Sequence, residues 1–170
     1  MNFIDTRQDP WHTLGGEDGP MPSPNPAPNL LLTLEQWHAV RENWTPGLLA
    51  GVKLPNHVDV EVLEPDLPRL GLVALDFPKW VDGRAYSQAR LLRARYRFGG
   101  QVRATGEVVV DMLPLLARTG FDAVVMRPGY KQEAADLALR RSTLSNMARS
   151  PCCLTKCTTA VSAGRNTSTA

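Results

Sequence analysis

Cysteine is absent from the first 151 residues of this 170-residue chain; Cys152, Cys153 and Cys157 are its only three. That excludes an internal disulfide framework, a thiolate-held iron–sulfur cluster and a Cys-x-x-Cys redox pair from the main body, so a redox cofactor of its own is not expected. The terminal Cys-Cys-x-x-x-Cys run matches no zinc spacing and no histidine follows it, so no metal site is expected there. Charge of one sign is also scarce. The formal net charge is +2, far from the dense basic balance of a nucleic-acid binder. No run approaches the roughly 20 apolar residues of a membrane span. Met1 to Arg7 lacks the basic-then-apolar layout of a secretory leader, which makes the cytoplasm the expected compartment. No P-loop, Gly-x-Gly-x-x-Gly fingerprint, Gly-x-Ser-x-Gly elbow or Ser/His/Asp order is present, and His12, His38 and His57 stand apart from one another.

What is present is a globular composition, 43% hydrophobic and 21% charged, with length for one domain of common size. Residues 1–29 read as an irregular lead, because prolines and glycines recur too densely for a helix or a central strand. Beyond it a strand–helix alternation sets in. Asn29–Thr33 is a candidate strand, and Thr33 with Gln36 forms a capping box that opens a helix over 34–43. Candidate strands follow at 48–54, 70–77, 101–105 and 122–127, and the run over 70–77 is apolar enough for burial on both faces. Between them lie candidate helices at 58–67, 84–98 and 107–118, with a last one at 131–141. Gly99-Gly100 and Gly120 supply helix stops.

A rhythm of about 25 residues per unit is that of βαβ crossovers in a parallel sheet. About four units give an α/β domain over 30–141, either a small open sheet, the favoured form, or half of a barrel, whose apolar edge would invite a homodimer. Residues 142–170 turn rich in Ser, Thr, Ala and Cys without periodicity, a composition expected to be disordered.

Parallel α/β folds bind ligands at the carboxyl ends of their strands. Lys53, Lys79, Arg84, Arg103 and Arg127 fall at or just after candidate strands. Lys79, Arg84, Arg103 and Arg127 form the candidate anion site, since arginine offers a planar fork for sulfate, phosphate or carboxylate and helix N-termini add positive potential. Asp76 and Asp82 are the candidate acids, with Asp82 equally suited to cap the following helix. Along that helix Ala85, Ala89, Leu92 and Tyr96 form a core stripe. Tyr86, Arg90, Arg93 and Arg97 repeat the pattern about 100° round, a candidate docking face for an acidic partner. Solvated arginines pairing with nearby acids explain the same pattern.

The stretch Phe77-Pro78-Lys79-Trp80-x-Asp82-Gly83-Arg84-Ala85-Tyr86-Ser87-Gln88-Ala89-Arg90-Leu91-Leu92-Arg93 resembles the signature of a bacterial family labelled as oxidoreductases involved in sulfite reduction. Gly51-Val52-x-Leu54, Asp66-Leu67-Pro68-Arg69-Leu70, Arg103-Ala104-Thr105-Gly106 and Gly120-Phe121-Asp122-Ala123 extend the resemblance over roughly 48–141. The resemblance implies an association with assimilatory sulfite and sulfate reduction, and it brings no active site with it. The chain departs from the family pattern in its proline-rich lead and after Arg141, where the Ser/Thr/Cys tail has the look of a frameshifted or truncated end. Two expectations follow. One is an accessory protein that docks on sulfite reductase or its electron donor. The other is an enzyme or carrier that binds a sulfur oxyanion or adenylylated sulfate at the strand edge. Neither involves nucleic acid or a membrane.

Overall fold

In a computed structural model of the chain, residues 2–4, 9–13, 15–16, 19–20, 24–126 and 137 are described. The expected helix over 131–141 (apart from Leu137), the tail at 142–170 and Arg127 lie outside the described residues. Four short strands occupy the lead: β1 (Asn2–Ile4), β2 (His12–Thr13), β3 (Gly15–Gly16) and β4 (Gly19–Pro20). They are followed by β5 (Leu30–Thr33), α1 (Leu34–Val40), β6 (Ala50–Leu54), a 3₁₀ segment (Val60–Arg69) and β7 (Leu70–Phe77). Next come α2 (Arg84–Ala94), β8 (Gln101–Gly106), α3 (Leu113–Thr119) and β9 (Ala123–Val125).

Seven strands form one sheet in the order β1-β9-β8-β7-β6-β5-β2, and every pairing within it is parallel. The sheet curls as a half-barrel, so it takes the second of the two expected forms rather than the favoured open sheet. The lead reaches it at both margins, β1 beside β9 and β2 beside β5.

Local chemistry sets most element bounds. Thr33 Oγ1 accepts the Gln36 N–H at 3.2 Å while Gln36 Oε1 accepts the Thr33 N–H at 2.9 Å, a closed capping box. The segment expected as a helix over 58–67 is instead a 3₁₀ turn series, because Pro65 and Pro68 supply no N–H for an α ladder. The helix expected from residue 107 begins only at Leu113. Pro114 falls in its first turn, where a missing N–H costs nothing, and Gly120 ends it at φ 102°. α2 stops at Ala94 rather than running to Phe98, and Arg97 takes a left-handed φ of 50° just beyond it.

Alternation along each strand sorts the side chains by face. Val52, Leu54, Val73, Leu75, Phe77, Val102, Ala104 and Val124 join Trp37, Leu63, Ala89, Leu92, Leu113 and Leu116 in one buried cluster under the helices. The opposite face carries Lys53, Leu72, Ala74, Asp76, Arg103 and Thr105. Trp11 from the lead lies against it, close enough that a Cβ on Gly51 would come within 2.9 Å of the indole.

Beneath α1, Trp37 meets Trp44 edge-on at 5.6 Å, and its Nε1–H donates to Asp66 Oδ2 at 2.9 Å. Asp66 is buried, and Arg41 stands 3.5 Å from the same oxygen. Trp37→Phe is expected to cost about 2 kcal/mol, the sum of a weakened buried acceptor and lost ring volume. Equilibrium urea denaturation measures it, and an unchanged midpoint would remove the Asp66 bond from the account of this corner.

Candidate functional site

The β7–α2 loop leaves the carboxyl end of the central strand, and Asp82 organises it. The Asp82 N–H donates to Lys79 O at 3.0 Å, closing a turn that holds Trp80 and Val81 at its tip. Asp82 Oδ2 accepts from Asn56 Nδ2 at 2.6 Å, which ties the loop to the segment after β6. Its Oδ1 accepts the Arg84 N–H at 3.1 Å and lies 3.9 Å from Arg84 Nε. Asp82 thus satisfies an amide at the start of α2 from one position before the N-cap, which is Gly83. The tip itself is apolar and open to solvent, Trp80 being 60% and Val81 64% exposed. Lys79 and Arg84 flank it and are exposed as well.

Beside the loop, a cleft of about 350 Å³ separates residues 56–60 from the first two turns of α2. Arg84, Ser87 and Gln88 line its helical side, Asn56, His57 and Asp59 the other. Gln88 is 6% exposed, and its Nε2 donates to Pro55 O at 3.2 Å and Val58 O at 2.7 Å.

The candidate anion cluster is divided by the fold. Lys79 lies in the β7–α2 loop and Arg84 opens α2 just after it, but Arg103 does not join them. Val102 and Ala104 face the helices, so the two-residue period sends Arg103 to the opposite face. There it is 1% exposed and grips Asp9 with both terminal nitrogens, Nη2 at 3.2 Å from Oδ1. The acids are divided in the same way. Asp76 sits on the opposite face, where Lys53 Nζ lies 3.1 Å from Oδ1 and the Thr105 hydroxyl 3.3 Å from it, while Asp82 serves the loop.

The candidate docking stripe on α2 is only half available. Tyr86 packs edge-on against Phe77 at 5.2 Å and near Phe121, and burial raises its phenol above the ordinary pKa. Arg93 is turned inward onto backbone carbonyls: its Nε donates to Gly120 O at 3.0 Å and its Nη1 to Gly100 O at 2.9 Å. Arg90 and Arg97 remain exposed.

Two site features were passed over in the sequence. Gln88 completes the buried i, i+3, i+4, i+7 series of Ala85, Ala89 and Leu92, and a polar residue on such a stripe is itself a signal. Trp80 lies within the family-like motif but fits neither the cationic nor the helical pattern.

No helix among the described residues is long and apolar enough to cross a membrane. Residues 51–147, which contain the loop, the cleft, strands β7 to β9 and all of β6 but its first residue, match a family described as bacterial protein of unknown function (DUF934). No curated protein matches the chain.

Proposed function

The chain belongs to that bacterial family of unknown function, and we propose that it is an accessory protein that docks through its β7–α2 loop on an acidic surface of the sulfite reductase system. One observation carries the docking: Trp80 and Val81, 60% and 64% exposed, stand at a loop tip between exposed Lys79 and Arg84. An aromatic residue held open to water by a turn is a typical interface anchor, and flanking cations steer an acidic partner to it. The resemblance of residues 77–93 supplies the pathway, because the loop and α2 are the motif that carries it. In this reading the partner, sulfite reductase or its electron donor, holds the redox cofactor.

Biolayer interferometry of the chain against sulfite reductase and against its electron donor tests the assignment. Wild type is expected to bind one of them, with affinity falling as salt rises. Trp80→Ala with Val81→Ser is expected to weaken binding at least about tenfold, a modest hot-spot loss, without shifting the melting temperature, since both side chains face water. Wild-type affinity in that variant, or no binding of either protein by wild type, would overturn the proposal.

A further inference from the structure

We propose that the buried side chain of Gln88 is a positioning residue for the β7–α2 tip, acting at one remove through Asn56 and Asp82. The effect on loop order is independent of any partner. Its consequence for docking rests on the docking reading.

The tip has little of its own to hold it. Trp80 and Val81 are 60% and 64% exposed, and a segment that buries so little apolar surface opens readily unless polar contacts restrain it. Those contacts converge on Asp82. Its N–H donates to Lys79 O at 3.0 Å, its Oδ1 accepts the Arg84 N–H at 3.1 Å, and its Oδ2 accepts from Asn56 Nδ2 at 2.6 Å. Among these three bonds only the last reaches another part of the chain, and it is short and charge-assisted.

Asn56 makes that bond only while the turn carrying it is held. The turn over 55–58 is closed by the Val58 N–H, which donates to Pro55 O at 3.2 Å. Gln88 braces it from α2: Nε2 donates to Pro55 O at 3.2 Å and to Val58 O at 2.7 Å, one carbonyl at each end of the turn. The amide serves nothing else among the described residues, since Oε1 has no hydrogen-bond partner. A glutamine on the buried stripe of Ala85, Ala89 and Leu92 carries a desolvation cost that an apolar residue avoids. What it supplies in exchange is the fixed position of this turn. The bonds run in a ring, from Gln88 on α2 through the 55–58 turn and Asn56 to Asp82, and back to α2 at the Arg84 N–H. A tip fixed in this way before a partner arrives loses less conformational freedom on docking.

Amide hydrogen exchange of the full chain, read by NMR, tests the relay. Asn56→Ala is expected to speed exchange of the Asp82 amide at least about tenfold, the scale of one hydrogen bond to a charged group, while amides in β7 and β8 keep wild-type rates. Asn56→Asp sets two carboxylates against each other and is expected to have at least that effect. Adding Asp82→Asn to it restores a donor opposite an acceptor and is expected to recover most of the protection. Gln88→Met keeps an unbranched side chain of similar length in the buried stripe, so the fold is retained. It is expected to speed Asp82 exchange at least about threefold. Combined with Asn56→Ala it is expected to add little, because both act on one bond. Against a partner that binds wild type, both single variants are expected to weaken docking about threefold or more, with Trp80 and Val81 untouched. An Asp82 rate unchanged in Gln88→Met, or effects of the two substitutions that add in full, would overturn the relay. So would faster exchange spread equally over β7 and β8, which would make Gln88 a general support of the fold. A wild type that binds neither protein removes the docking reading and leaves the exchange rates to decide the relay.

Discussion

Arg103→Ala is expected to lower unfolding stability by about 3–5 kcal/mol, the range for breaking a buried ion pair by removing one partner. Arg103 is 1% exposed at the middle of β8, and its guanidinium engages both oxygens of Asp9 and also Gln101 Oε1 at 3.1 Å. Asp9 is nearly as buried, and its Oδ1 also accepts the Trp11 N–H at 3.1 Å. The pair therefore seats the indole over Gly51 and Gly71, where no larger side chain leaves room. In the variant, either the Asp9 carboxylate stays desolvated with one amide for company, or residues 9–13 lift from the sheet and uncover the face of Leu72 and Ala74. Both routes are costly. The paired change Arg103→Met with Asp9→Leu is expected to recover most of the loss, since hydrophobic groups of similar volume often replace a buried pair at little cost. Equilibrium urea denaturation of wild type, single and double variants reads this directly. A single-variant loss under about 1 kcal/mol, within the range of ordinary surface changes, would place the stability of this face elsewhere.

Arg103 also shows which parts of the molecule were legible in the sequence. The Thr33–Gln36 capping box, the apolar run over 70–77 and the stop at Gly120 are set by neighbours a few residues away, and each is found where local chemistry puts it. The parallel sheet was legible from the strand–helix rhythm. Its curl was not, because open sheets and half-barrels share that rhythm and differ in strand tilt and stagger. The site was less legible than the fold. A cation's position after a strand says which edge it is near, but the two-residue alternation decides its face, and that alternation sends Arg103 away from Lys79 and Arg84. Its partner Asp9 lies 94 residues distant in the chain, in a lead whose prolines and glycines read as irregular. Gln88 was hidden differently: its partners are the backbone carbonyls of Pro55 and Val58, and a carbonyl leaves no trace in residue identity.

Arg93→Ala is expected to cost about 3 kcal/mol, because hydrogen bonds to charged groups contribute roughly 1.5–3 kcal/mol each and the loss leaves several acceptors unpaired. The periodicity that groups Arg90, Arg93 and Arg97 on one helical stripe does not reveal the difference between them. Arg93 ties the end of α2 to the α3–β9 corner. Nη1 serves Phe98 O and Gly100 O, Nε serves Gly120 O, and Nη2 pairs with Asp122, which in turn accepts the Val102 N–H at 2.8 Å. Gly120 makes the crossing feasible, since a Cβ there would stand 2.6 Å from Arg93 Cγ. Lysine carries its three donors on a single nitrogen and lacks the planar fork that spans these acceptors, so Arg93→Lys is expected to restore under half of the loss. Arg90→Ala, an exposed change, is expected to stay within about 0.5 kcal/mol of wild type. Thermal and urea unfolding of the three variants decide the matter, and they bear on function as well. A docking defect in a variant reversed at Arg93 would report a loosened corner, whereas a defect from Arg90 and Arg97 reversed together would report the surface itself. Equal, small losses for Arg93→Ala and Arg90→Ala would contradict the structural tie and return Arg93 to the exposed docking stripe.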